Sequence, residues 1–284
     1  MGLSNSTWKL PKLAFLKGRV YLGRVLPIFL VFTLIFAFLP FFNQASGQTP
    51  QTKITVINKA YPTKGLPYIG YPNGPDVILQ IKVNDVTDPD GLAGFSIKLR
   101  YDKTIVSVAD TNNDNIADQD AVQPDSFLTS SGKQSACSDA FLDPDQTNPN
   151  KMWLTYSCVT LGLTPSAALG TGALATIKFK PKAILGSTSF GSLETELVDN
   201  TQSANLIPHT PGGASILITK CANFNGADDN IDVPNDILPL ILRYNWNTSN
   251  PNWDPKYDLN NDGRIDVPND ILVAIFQYGM HCTR

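Results

Sequence analysis

Histidine and glutamate are nearly absent from this chain of 284 residues: two of each occur, His209 and His281, Glu194 and Glu196. The scarcity removes most enzymatic readings. Neither histidine lies in a Ser/His/Asp or metal-protease pattern. Glycoside hydrolysis needs two carboxylates facing each other across a cleft, whereas Glu194 and Glu196 fall at i and i+2 of a predicted strand, side by side on one face. No phosphate loop and no dinucleotide fingerprint occurs. The chain reads as non-catalytic.

Basic residues are also few where they would matter. Lys9, Lys12, Lys17, Arg19 and Arg24 stand in the first 47 residues, which hold no acid. Taking those five charges from a formal −3 leaves −8 for the rest. A chain of that sign is a poor partner for nucleic acid, which demands a basic face. Behind the basic leader, Val25 to Phe42 is almost wholly apolar, and Ala45, Ser46 and Gly47 supply small residues suited to a signal peptidase. Residues 1–47 read as a signal peptide; the alternative is an uncleaved anchor, the one route to a membrane. Either way the chain is expected outside the cell or at its surface. Four cysteines, an even number, fit disulfides there: Cys137 with Cys158, and Cys221 with Cys282.

Residues 53–219 alternate apolar and polar residues over short runs. Strands are predicted at Val77–Val83, Gly94–Tyr101, Ile105–Val108, Trp153–Tyr156, Leu174–Phe179 and Ala214–Ile218. Turns rich in Gly, Pro, Asn and Asp separate them, with no helical period of useful length between. The expected fold is mainly β, a sandwich of immunoglobulin-like or jelly-roll type. One loop, Asp110 to Asp120, sets Asp110, Asn112, Asp114 and Asp118 on alternate positions. A bound Ca²⁺ would relieve that crowding; a solvated acidic turn is the other reading.

Past Cys221 the octapeptide Ile-Asp-Val-Pro-Asn-Asp-Ile-Leu occurs twice, at 231–238 and 265–272. A repeat at this spacing marks a duplicated supersecondary unit. The second copy follows Asp258, Asn260, Asp262 and Gly263, then Arg264, Ile265 and Asp266. Oxygens on alternate residues with Gly sixth make most of an EF-hand calcium loop. The Arg264 carbonyl would be a main-chain ligand. The twelfth position is Asn269 and the acid, Asp270, comes one later, so either the loop carries an insertion or Asn269 ligates and Asp270 caps the helix. The first copy offers Asn223, Asn225, Asp228, Asn230, Asp232 and Asp236, with Asn opening the loop, an extra residue near Ala227, and Asp229 where Gly stood. It is expected to bind more weakly. Each loop leads into a short helix, the first starting near Asp236 because Pro239 must lie in a first turn, the second stopping at Gly279.

Residues 221–284 resemble a dockerin, the duplicated calcium module that plugs proteins into cohesins. The likeness rests on Asp258, Asn260, Asp262, Gly263, Asp266 and the repeated Asn-Asp-Ile-Leu. It implies that Val233, Pro234, Val267 and Pro268 read the partner through two equivalent faces. Residues 53–219 resemble a cohesin, within the superfamily it shares with carbohydrate-binding sandwiches. Gly91–Ile97, Leu99–Asp102, Gly172–Phe179 and Gly213–Ile216 carry that likeness. Together the resemblances imply a secreted assembly or adhesion protein, linked to polysaccharide degradation or cell-surface complexes. Its partners would be cohesin- or dockerin-bearing proteins, or further copies of itself. The alternative is polysaccharide binding by the sandwich, for which Tyr61, Tyr68, Tyr71, Trp153, Trp246 and Trp253 are available.

Overall fold

The computed structural model describes residues 52–226 and 228–282; the predicted leader lies outside them. Among the described residues no helix is long and apolar enough to cross a membrane. The chain runs β1 (Lys53–Asn58), β2 (Tyr68–Gly70), β3 (Val77–Val86), β4 (Leu92–Asp102), β5 (Val106–Ser107), β6 (Val122–Pro124) and β7 (Ser135–Cys137). It continues through β8 (Phe141–Pro144), β9 (Lys151–Thr160), β10 (Gly170–Pro181), β11 (Gly186–Ser192), β12 (Glu194–Asp199) and β13 (Gly213–Ile218).

Alternation in the sequence becomes two packed layers. In β4, Phe95, Ile97, Leu99 and Tyr101 turn inward while Ser96, Lys98 and Arg100 turn out. In one sheet the order is β1-β3-β10-β5, with β6 also on β10; in the other it is β12-β4-β9-β7, with β8 also on β9. A small ribbon, β11-β13-β2, is parallel between β13 and β2. The inner faces share one core, with Tyr101 edge-on to Phe179 at 5.6 Å. Each fully buried Leu or Ile there, Leu154 and Ile81 among them, contributes about 1.5–3 kcal/mol. The strand expected over Ile105–Val108 contracts to β5, because a turn in which Ile105 N–H bonds to Asp102 O takes its first residue.

The C-terminal module has a second core, built on Ile231, Leu240, Leu259, Ile265, Ala274 and Met280. Ile69, from β2, belongs to it, and Tyr61, Tyr71 and Leu217 pack against it, so the module sits on the sandwich. A π turn, Val233–Ile237, runs into α1, Leu238–Ile241; a second, Val267–Ile271, runs into α2, Leu272–Gln277. The first helical segment therefore begins before Asp236, not at it. Asp232 caps it by accepting the Asn235 N–H, Pro234 sits in the first turn, and Pro239 falls where the π turn gives way to α1. At the end of α2, Gly279 takes φ +69°, the left-handed stop expected of it. Disulfides join Cys137 to Cys158, paired across β7 and β9, and Cys221 to Cys282 around the module.

Candidate functional site

The module closes on itself by exchange. The Ile265 N–H bonds to Trp246 O and Asn245 N–H to Ile265 O, both at 2.9 Å. In the other half, Ile231 N–H bonds to Met280 O at 3.2 Å and Gly279 N–H to Ile231 O at 2.9 Å. Each loop thus pairs with the tail behind the other loop's helix. Asn245 (φ +70°) answers Gly279 (φ +69°), giving a pseudo-twofold arrangement.

In the second loop Asp258 accepts the N–H of Asp262 at 3.2 Å and of Gly263 at 2.8 Å. Asn260 Oδ1 also accepts the Asp262 N–H, and Asp262 Oδ1 that of Arg264. Gly263 makes the sharp turn at φ +86°. Asp266 accepts the N–H of Asn269, whose side chain is exposed. Asp270 is fully buried and faces the loop, accepting from Leu259 N–H at 2.6 Å and Asp266 N–H at 2.8 Å. The π turn explains the late acid: Ile271 N–H reaches back five residues to Asp266 O, and the wider turn absorbs the residue by which this loop exceeds twelve.

Burial pushes the Asp270 carboxyl up to about 6, and the neighbouring Asp258 and Asp266 charges push the same way. Asp258 is itself only 3% exposed. Two buried carboxylates in an all-oxygen loop fit a hard divalent cation, whose charge removes that penalty.

The first loop keeps the outer frame. Asp236, also fully buried, accepts Phe224 N–H at 2.6 Å and Asp232 N–H at 2.9 Å. Asp228 caps the Asn230 N–H, while Asn225 and Asp229 are exposed. The extra residue falls between Phe224 and Asp228.

The sandwich loop follows the second loop bond for bond. Asp110 accepts the N–H of Asp114 at 3.2 Å and of Asn115 at 3.1 Å; Asn112 accepts that of Asp114, and Asp114 that of Ile116. Asn115, at φ +64°, fills the glycine's place. Asp118 turns instead to Thr111. A further trio, Asp88, Asp90 and Asp199, brings carboxylate oxygens within 4.8 Å, but Asp199 is already engaged by Thr201 and Asn205.

Two surfaces are shaped for contact. On the module, Val233, Leu238, Ile241 and Tyr244 are exposed, and so are their counterparts Val267, Leu272, Ile275 and Tyr278. Val233 and Val267 are 49% and 50% exposed, Tyr244 and Tyr278 53% and 51%, so the duplication holds at the surface. Pro234 and Pro268 lie on the same exposed turns. On the sandwich, the outer face of β12-β4-β9 carries an apolar strip: Val198, Gly94 and Val159 lie side by side, with Leu206 bridged to Val198. A Cβ on Gly94 would come within 2.9 Å of Val198 and 3.0 Å of Val159, so the two valines close over it. Farther along, Lys98 lies 4.4 Å and Arg100 5.8 Å from the Trp153 ring, and Glu194 pairs with Lys98. Val159, Val198 and Leu206 escaped the sequence reading because an outward valine looks like any strand residue until its cross-strand neighbours are known.

The remaining candidates are structural. Tyr68 is buried and donates to Val56 O; Tyr61, Tyr71, Trp246 and Trp253 pack against the second core. His209 bonds Thr195 and Ile207 O, and His281 is exposed.

A family model described as the cohesin domain matches residues 70–216. Among solved structures, a cohesin of scaffoldin B from Acetivibrio cellulolyticus, in complex with a Cel5 dockerin mutant, is 12% identical, covering 57% of this chain and 96% of its own, with a TM-score of 0.36. A non-cellulosomal cohesin from the archaeon Archaeoglobus fulgidus is 17% identical over 58% and 91%, with a TM-score of 0.35. A type I cohesin–dockerin complex from Clostridium thermocellum is 13% identical over 59% and 94%, with a TM-score of 0.37. A search of curated proteins gave no match.

Proposed function

The chain belongs to the cohesin domain family, and from that membership we propose that it is a non-catalytic extracellular assembly protein whose sandwich receives a dockerin-bearing partner. The family match over residues 70–216 carries this reading. The receiving surface is the outer face of β12-β4-β9: the strip Val198–Val159–Leu206 supplies apolar area, and the Lys98–Trp153–Arg100 stack a cationic and aromatic anchor. Two disulfides suit an oxidising exterior.

The C-terminal module is a second, dockerin-like attachment point that presents the duplicated apolar faces on α1 and α2 to a cohesin-like partner. Asp258, Asn260, Asp262, the Arg264 carbonyl, Asp266 and Asp270 hold Ca²⁺. When bound, the ion supplies positive charge that offsets the burial of the Asp270 carboxylate. Asp110, Asn112 and Asp114 offer a further, more exposed calcium loop, from which Asp118 has turned to Thr111. With a receiver and a plug on one chain, head-to-tail assembly is open wherever the two are complementary.

The test mixes the mature chain with purified dockerin modules and, separately, purified cohesin modules, with Ca²⁺ or with EDTA, and measures the mass of the species eluted by size exclusion. A complex with a dockerin module, and calcium-dependent complexes or oligomers through the C-terminal module, are expected. Elution as a monomer in every mixture would refute the proposal.

A further inference from the structure

We infer that the first loop of the C-terminal module is closed by the side-chain amide of Asn223 instead of a cation, which makes this half calcium-independent. The inference rests on the reading of the second loop as the one that holds calcium. Asn223 and Asp258 occupy the same place in the two halves, because Phe224 and Leu259, which follow them, donate to the equivalent acids Asp236 and Asp270. Their chemistry is opposite. Both carboxylate oxygens of Asp258 accept loop N–H groups, as an anion facing a shared cation can.

Asn223, only 3% exposed, accepts the Gly226 N–H at 3.0 Å through Oδ1 and donates through Nδ2 to the carbonyls of Asp228 and Cys282. Turning the amide over would set its oxygen against two carbonyl oxygens, so the network fixes its orientation. A hard cation requires oxygens aimed at it. Here the opening position aims hydrogens inward, and a loop carbonyl is already satisfied by them. The turn also differs: Gly226 (φ +61°) keeps the left-handed place that Asn261 (φ +63°) holds in the second loop, but Asp229, exposed where Gly263 takes φ +86°, is not left-handed. The frame around the loop survives through Asp236 and the core under Ile231, Ile237 and Leu240, so Val233, Leu238, Ile241 and Tyr244 are held in place without a cation.

Calcium titration calorimetry on the full mature chain tests this with three single variants. D258A should lose one site. D228N, at an exposed position that does not threaten folding, should keep the wild-type number of sites. N223D, which sets a carboxylate against two carbonyls, should unfold at lower temperature in EGTA, recover in Ca²⁺, and gain a site. A site lost in D228N, or an N223D chain with neither a new site nor a calcium-sensitive unfolding temperature, would overturn the inference. If D258A loses no site, the reading of the second loop fails, and the other two variants still decide the first.

Discussion

An aspartate followed two residues later by threonine recurs at three turns of the sandwich. Asp102, Asp145 and Asp199 each accept both the N–H and the hydroxyl of Thr104, Thr147 and Thr201, the hydroxyl contacts all at 2.6 Å. The Thr147 and Thr201 hydroxyls lead in holding Asp145 and Asp199 below the ordinary aspartate value of 3.8, against some opposition from burial. For Asp102 burial is the largest influence and pushes upward, yet Thr104 and Lys151 outweigh it. A carboxyl depressed by folding stabilises the folded chain above its unfolded value and loses that contribution as pH falls through the folded one. Acid should therefore weaken the sandwich below about pH 4. Thr147→Val and Thr201→Val should each raise the carboxyl titration followed by NMR and move acid unfolding to higher pH. Unchanged titrations would show that the hydroxyls do not hold these acids.

At the scale of elements, the buried acids that lock each loop to its helix are separable from calcium. Asp236→Ala would strand the N–H groups of Phe224 and Asp232, at a cost of about 1–3 kcal/mol for each. Chemical denaturation should show the same loss with Ca²⁺ and with EGTA, whereas Asp270→Ala should cost more in Ca²⁺ than in EGTA. Equal calcium sensitivity of the two would contradict the asymmetry between the halves. The sequence made the helices, the repeat and the long strands legible because each has its own local signal: Gly94–Tyr101 alternates cleanly, and Asp258–Gly263 sets oxygens in order. It left the place of Asp270 between two readings, since the extra residue is resolved by a π turn, and a π turn is set by tertiary packing. It also started the first helix too late, because Pro239 outweighed the Asp232 cap and Pro234. Short strands such as β2 and β6 were invisible, being fixed by distant partners, β13 and β10, more than by their own pattern.

For the whole molecule, sandwich and module share contacts that neither sequence segment announces. Ile69 of β2 is 6% exposed within the module's core, and Lys64 donates to Tyr278 O while Lys220 donates to Asp258 O. Ile69→Ala should therefore destabilise the C-terminal module by about 2–5 kcal/mol, although it lies in a sandwich strand. Hydrogen exchange would reveal it as faster exchange over residues 221–282; faster exchange confined to the sandwich would contradict the shared core. The joint uses the β2–β13 ribbon, and the outer face of β12-β4-β9 stays exposed at Val159 and Leu206. The most direct measurement is a calorimetric titration of purified dockerin modules into residues 48–284 and into their Val159→Asp and Trp153→Ala variants. The account predicts saturable one-to-one binding by the native chain, weakened at least about tenfold in each variant, as expected of truncated interface anchors. Binding that is absent from the native chain, or unchanged in both variants, would contradict it.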